Sequence, residues 1–293
     1  MALVCRPPRP KSGSPVWAWA RTIASYSEQH EGATLQQNQT SDDKAESLGK
    51  VPQATIAFWV VKILATTLGE TGGDALSMTL NLGYAVSTLI FLGFFGVALA
   101  AQLGIRRYQP VFYWAVVVAT TTVGTTTSDY FDRTLGWGYI KSSIILFCAV
   151  LAVLALWRRS TGAIEVDHIT TRKSEVFYWL TILVSNTLGT ALGDFAATST
   201  GLGFERGALV FAGLIALVAL AHSFTRLPGS VLFWAAYVLT RPLGATLGDT
   251  LTKPIADGGL NLGRIASSLV MAVTMVVLVA GTSLRRRPSA APT

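Results

Sequence analysis

From residue 53 onward the chain alternates between apolar runs of roughly twenty residues and short polar connectors. Eight such runs occur, at about 53–73, 83–104, 111–129, 139–157, 175–194, 207–224, 230–249 and 265–283. Each is long enough, or nearly so, to cross a hydrocarbon core of about 30 Å as a helix. The runs are continuous, whereas a membrane barrel strand alternates apolar and polar residues over about ten positions, so helices are favoured. The pattern predicts an all-α integral membrane protein with eight transmembrane helices.

The odd-numbered runs share a signature. A tryptophan is followed ten residues later by glycine, and five residues after that by aspartate: Trp59–Gly69–Asp74, Trp114–Gly124–Asp129, Trp179–Gly189–Asp194 and Trp234–Gly244–Asp249. The tryptophans are 55, 65 and 55 residues apart, so copies one and three, and copies two and four, are each separated by 120. This spacing is that of a duplication nested inside a larger one. Each copy holds two spans, so every copy enters the membrane in the same direction, and the repeats are parallel rather than inverted. The expectation is four parallel two-helix repeats forming two pseudo-symmetric four-helix halves, with the motif helices facing a common cavity. The halves are 52–158 (repeats one and two) and 175–284 (repeats three and four), joined by a cytoplasmic linker at 159–174.

Composition fits this picture: 51% of residues are hydrophobic, 13% are charged, and mean hydropathy is +0.48. The charges collect in residues 1–51, the connectors and the basic tail 285–293. A net charge of +7 with bases beside apolar spans speaks for membrane orientation rather than for nucleic acid. Connectors after the even spans hold ten basic residues (Arg106, Arg107, Arg158, Arg159, Arg172, Lys173, Arg226 and Arg285–Arg287). The other connectors hold five: Arg133, Lys141, Arg206, Lys253 and Arg264. That bias places both termini in the cytoplasm, in a multi-pass protein of the bacterial cytoplasmic (inner) membrane. Residues 1–51, rich in Pro, Ser, Gln and charge, read as a disordered cytoplasmic tail. Cys5 and Cys148 give no metal motif and no disulfide pattern, and His30, His168 and His222 are scattered.

The candidate chemistry lies in the motif helices. The aromatic pairs Phe58–Trp59, Tyr113–Trp114, Tyr178–Trp179 and Phe233–Trp234 stand near the cytoplasmic start of each odd span, where aromatic belts occur. At 1.5 Å per residue the glycine then lies about 15 Å further in, and the aspartate about 22 Å in. Gly69 and Gly73, Gly189 and Gly193, and Gly244 and Gly248 are four apart, and Gly124 is followed by Ser128. Such spacing lets helix backbones approach closely. An aspartate at a helix C-terminus is on the unfavourable end of the dipole, although it could cap the segment that follows.

Glu70, Asp74, Asp129, Asp194 and Asp249 put five acids in or near the membrane, against Lys62 and Arg241 in the same helices. Three negative charges remain, so carboxyls must hold protons or a cation must share the site. Hydroxyl and amide oxygens surround them, notably Thr71, Thr125, Asn186 and Thr190. Such an oxygen set suits a hard divalent ion such as manganese, taken as a transported ion held by the five carboxylates. Lys62, Thr66, Glu70 and Asp74 are four apart on one face, and Arg241 and Asp249 are eight apart. Lys62 and Arg241 read as tethered counter-charges. Pro242 follows Arg241 and would open its helix near Gly244. Beyond each aspartate a glycine recurs, at Gly83, Gly138, Gly203 and Gly263, and is expected to start the returning helix.

The repeat, with phrases such as Lys62-Ile-Leu-Ala-Thr-Thr-Leu-Gly-Glu-Thr and Thr240-Arg-Pro-Leu-Gly-Ala-Thr-Leu-Gly-Asp249, resembles a bacterial family of integral membrane proteins. That family is defined by tandem repeats of unknown function, usually four, each with two membrane segments and a tryptophan. The likeness covers about residues 53–284 and implies architecture, not activity. The Glu70-Thr-Gly-Gly-Asp74 stretch is also similar to the short acidic repeats of bacterial and Golgi cation/proton exchangers.

These features lead to the expectation of a secondary transporter moving a cation, coupled to protons through intramembrane carboxylates. Its partners would be the cation, protons and the lipid bilayer, without nucleic acid. A cation channel with an aspartate ring, an organic-solute carrier and a non-transport structural membrane protein are the alternatives. No catalytic dyad or zinc-protease motif is present, so no enzymatic role is expected, and no cofactor or nucleotide fingerprint occurs.

Overall fold

The computed structural model describes residues 52–105, 108–164, 169 and 171–285, with side chains through Ser283. The tail 1–51, part of the 159–174 linker and the C-terminal tail beyond Arg285 lie outside the described residues.

The described residues form eight long helices and no strand: α1 (Ile56–Asp74), α2 (Gly83–Gly104), α3 (Pro110–Asp129), α4 (Tyr139–Thr161), α5 (Arg172–Asp194), α6 (Gly203–Phe224), α7 (Gly229–Thr252) and α8 (Arg264–Arg285). Five helical spans are long and apolar enough to cross a membrane: Gly83–Gly104, Tyr139–Thr161, Arg172–Ser199, Gly203–Phe224 and Arg264–Ser283.

The motif helices contact one another in a closed ring, α1 with α3, α3 with α5, α5 with α7, and α7 back to α1. Each even helix then packs on the motif helix of the next repeat: α2 on α3, α4 on α5, α6 on α7, and α8 on α1. A returning helix therefore buttresses its neighbour, and the last repeat closes on the first.

This arrangement puts polar side chains inside and apolar ones outside. The ring helices bury threonines at positions 66, 67, 71, 120, 121, 125, 126, 181, 187, 190, 240 and 246. Many satisfy their hydroxyls on the preceding turn of their own helix, as Thr67 does on Ile63 and Thr246 on Pro242. The even helices expose large apolar side chains, including Leu89 at 69%, Val97 at 72% and Leu209 at 67%.

Two features of the backbone differ from the sequence reading. The aspartates do not terminate their helices. Past Asp74, Asp129 and Asp194 the chain continues for one π-helical turn, Ala75–Thr79, Tyr130–Thr134 and Phe195–Ser199. In the fourth repeat α7 simply runs on to Thr252. Nor does Pro242 interrupt α7, which passes through it unbroken.

The turn leading to each returning helix is built the same way four times. Two residues, two positions apart, adopt positive φ: Asn81 and Gly83, Gly136 and Gly138, Gly201 and Gly203, Asn261 and Gly263. Only glycine and, less readily, asparagine adopt this conformation cheaply. The sequence reading identified the second position of the pair and missed the first.

Candidate functional site

Counting from the motif glycine of each repeat resolves the ring into layers. At the N-terminal ends of α1, α3, α5 and α7 lies an aromatic cluster. Phe58 stacks on Phe233 with ring centroids 6.3 Å apart, Tyr113 meets Trp179 at 5.5 Å, and Tyr178 meets Trp234 at 5.9 Å. The Tyr113 and Tyr178 hydroxyls are hydrogen-bonded at 2.7 Å. This corrects the expected aromatic belt: Trp114, Trp179 and Trp234 are buried and plug the bundle instead of facing outward. Packing aromatics across the ring buries more apolar area than an outward belt would.

Further along come the glycines, and each receives a side chain three residues before the glycine of the next repeat. A Cβ at Gly69 would fall 2.3 Å from Thr121 Oγ1, and one at Gly244 would fall 2.2 Å from Thr66 Oγ1. Gly124 faces Asn186, and Gly189 faces Arg241, with a Cβ 2.4 Å from its Cγ. One turn on, Gly73 meets Thr125, Gly193 meets Ala245, and Gly248 meets Glu70. Each of the glycines expected to serve packing stands at a helix crossing, where an added Cβ would clash with, or crowd, the neighbouring helix.

The residue after the motif glycine points toward the ring axis, and here three of the predicted site residues converge. Arg241, fully buried, directs Nη2 to Glu70 Oε2 at 2.9 Å, to Thr190 Oγ1 at 2.6 Å, and to Thr125 Oγ1. Thr125 Oγ1 also donates to Glu70 Oε2 at 3.3 Å. Arg241 thus pairs with Glu70 across two helices, not with Asp249 on its own helix. Lys62, on the same helix face as Glu70, is not paired with it: its Nζ lies 4.2 Å from the centre of the Tyr237 ring and has no hydrogen-bond partner. Two other predicted members sit to the side. Asn186 Nδ2 donates to Thr120 Oγ1 at 3.0 Å, and Thr71 accepts from Ser268 Oγ at 2.8 Å, facing α8.

The four aspartates form the next layer, all nearly inaccessible, and each is met by a base. Arg133 Nε lies 3.0 Å from Asp129 and its Nη2 3.2 Å from Asp194. Lys253 Nζ lies 3.1 Å from Asp249 and 3.3 Å from Asp74, which Arg264 Nε also approaches at 3.3 Å. Arg133 and Lys253 each stand four residues after their own repeat's aspartate and bridge to the aspartate of the following repeat. They are 120 residues apart, the period of the larger duplication. The last connector, with fourteen positions from Asp249 to Gly263 against nine in the other copies, folds back on α7: the Leu260, Asn261 and Leu262 amides donate to the carbonyls of Thr250, Lys253 and Leu251 and so hold Lys253 in place. Burial pulls the Lys253 ammonium down, but the carboxylates of Asp249 and Asp74 outweigh it and hold the group above its ordinary value.

Arg133, Lys253 and Arg264 are the site residues that sequence reasoning missed, having been assigned to the connectors. With them the excess of three negative charges disappears: Glu70 and the four aspartates face Lys62, Arg133, Arg241, Lys253 and Arg264, five acids and five bases. For Arg133 and Lys253 the signal was present as the i,i+4 spacing from Asp129 and Asp249; Arg264 carried no such signal. Among the described residues no group of three or more His, Cys, Asp or Glu side chains is placed to hold a metal ion. The set Glu70, Asp74, Asp129, Asp194 and Asp249 is instead divided among cationic partners. A separate crevice of about 1010 Å³, between α1, α2, α3 and α8, is lined by residues such as Leu68, Phe94 and Met275, and no described residue of its lining is charged.

These features define an all-helical protein of four tandem two-helix repeats around a buried, charge-paired polar axis. The chain belongs to the family described as Repeat of Unknown Function (DUF347), which matches it four times, at residues 57–108, 112–163, 177–227 and 232–288. No curated protein and no solved structure matches the chain.

Proposed function

We propose that this protein is a multi-pass carrier of the bacterial inner membrane, with both termini cytoplasmic, that moves a cation by secondary transport coupled to protons. The observation that carries the reading is the ring of four buried aspartates bridged in pairs by Arg133 and Lys253. A framework needs no such ring, because apolar residues of similar volume stabilise a bundle at least as well as buried ion pairs. Buried charge in a membrane bundle marks a transport path more often than a structural one.

Several features support the membrane placement. Apolar side chains cover the outer helices and hydroxyls fill the ring, as a lipid solvent requires. The pairs Gly69–Thr121 and Gly73–Thr125 advance together along α1 and α3, which supports parallel repeats about an axis along the membrane normal. Removing the aspartate-bound Arg133, Lys253 and Arg264 from the connector count leaves ten bases against two, which sharpens the orientation bias.

In this reading a divalent cation competes with Arg133 and Lys253 for the aspartate oxygens, and protons take the carboxylates when the cation leaves. The aromatic cluster would then stand at the cytoplasmic end of the axis and close it. The equal number of acids and bases favours, as a second reading, an organic-solute carrier whose substrate amine pairs with the aspartates.

The test is total elemental content of cells expressing the protein. The control carries Asn at Asp74, Asp129, Asp194 and Asp249 and is matched for membrane abundance. One divalent metal should rise or fall only with the native chain, and the change should respond to the proton gradient. If no element changes across a range of added metals, the metal reading fails and organic solutes become the substrates to test.

A further inference from the structure

We propose that Lys62 and Arg241 form a mid-membrane subsite for a monovalent anion, either inorganic or the carboxylate of an organic molecule. This goes beyond the cation reading and depends on different residues from the aspartate ring.

The argument begins with donors. Lys62 and Arg241 are both fully buried, on adjacent ring helices α1 and α7. Lys62 Nζ has no hydrogen-bond partner, and neither have Arg241 Nε and Nη1. Only Nη2 of Arg241 is used, on Glu70, Thr125 and Thr190. Buried donors are nearly always satisfied, so three unpartnered cationic nitrogens in one region require an explanation.

The charge balance points the same way. The aspartate layer holds four acids against Arg133, Lys253 and Arg264. Between the aromatic cluster and the aspartate layer stand two buried bases, Lys62 and Arg241, against one acid, Glu70. The totals match over the whole site, but they are separated along the axis, with surplus positive charge at the middle. The Tyr237 ring, 4.2 Å from Lys62 Nζ, offsets only part of the cost of removing an ammonium from water. A single anion between Lys62 and the free edge of Arg241 would satisfy both donor sets and balance the layer. Arginine presents a planar fork suited to a carboxylate, and lysine adds a point charge.

The packing around the pair is rigid. Arg241 Cβ and Cγ are wedged against Gly189, so the guanidinium is held in place on the axis rather than free to swing out.

The test is thermal unfolding of the purified full chain in detergent at constant ionic strength, with a large organic sulfonate exchanged for chloride, nitrate, acetate or formate. Wild type should gain about 3–5 °C at a concentration tenfold above the dissociation constant. Chloride and nitrate acting alone would identify an inorganic ion, while acetate and formate acting alone would identify a carboxylate group. Lys62→Met should abolish the shift, and Lys62→Arg should keep it. The variant with Asn at all four aspartates should also keep the shift, which separates this subsite from the cation reading. Equal melting of the wild type in every anion would overturn the proposal even if no variant folded, as would an unchanged shift in Lys62→Met.

Discussion

Replacing Glu70 with Gln tests the interior electrostatics directly. Arg241 is fully buried and its ion pair with Glu70 is 2.9 Å long. At an effective dielectric constant of about 20, that separation corresponds to a gross attraction of about 6 kcal/mol, most of it offset by desolvation of the two groups. Glu70→Gln retains shape and hydrogen-bonding capacity but leaves the guanidinium without its countercharge. Breaking one side of a buried pair costs about 3–5 kcal/mol. At about 2–4 °C per kcal/mol, melting in detergent should fall by about 6–20 °C. The double variant Glu70→Gln with Arg241→Met removes both charges and should recover most of the loss, because the net worth of the pair against apolar neighbours is small. The assay is thermal unfolding of the wild type, both single variants and the double, arranged as a double-mutant cycle. A single variant melting within about 1 °C of wild type would refute the reasoning, since the expected cost would then be absent. A double variant no more stable than the singles would also refute it, because it would mean that packing and not charge holds the centre.

Further outcomes follow from other layers. Gly69→Ala and Gly244→Ala should each destabilise by about 1–3 kcal/mol, because the added methyl would strike Thr121 or Thr66 on the neighbouring helix. Gly93→Ala on α2 meets open space and should be neutral or slightly stabilising, and thermal melting of all three decides the matter. Arg133→Met and Lys253→Met each strip the bridge from two aspartates and should impair transport and stability to a similar degree. Arg264→Met should do less, because Asp74 keeps Lys253, and parallel uptake and melting measurements check the order. The Lys253 bridge should persist in alkali: a raised lysine contributes its stability fully below its unfolded value and loses it only as pH climbs through the higher folded one. Melting of wild type minus Lys253→Met should therefore hold constant from pH 7 to about pH 10, and a falling difference in that range would contradict the assignment.

Much of the fold was legible because membrane helices announce themselves by length and hydropathy. The predicted run 83–104 coincides with α2, and the others differ from the observed helices by a few residues at their ends. The glycines were legible for a related reason, since small residues four apart have few uses other than close crossing. The partners of the charges were not. Sequence spacing placed Lys62 with Glu70 and Arg241 with Asp249 on single helix faces, but a ring lets a side chain reach across the axis as easily as along its own helix. Glu70 thus meets Arg241, 171 positions away. Arg133, Lys253 and Arg264 looked like connector charges because the aspartates seemed to end their helices. The π-helical turn after Asp129 and the extended α7 keep Arg133 and Lys253 stacked one turn beyond their aspartates and turned inward.

The four copies agree and disagree in different layers, and that division separates scaffold from site. The tryptophan, the glycine and the Asn/Gly turn recur in every copy, and each has a packing or backbone reason that applies to all four; the aspartate recurs too, as the ion-paired layer of the site. The positions between them diverge. One turn before the glycine stand Thr66, Thr121, Asn186 and Arg241, and just after it Glu70, Thr125, Thr190 and Ala245. Four identical polar groups on an axis would make a symmetric ring like that of a channel filter. Here a single arginine and a single glutamate occupy the axis, and the bases at the aspartate level appear only in repeats two and four. The repeated tryptophans, glycines and turn residues therefore hold the helices together, and the residues that break the repeat give the axis a direction. Exchanging Glu70 with Thr125 by paired substitution should leave the helices assembled, since both positions are axial and buried, while moving the acid away from the α1 face that also carries Lys62. Retained folding with altered transport would locate function in the asymmetry, and unaltered transport would return it to the symmetric aspartates alone.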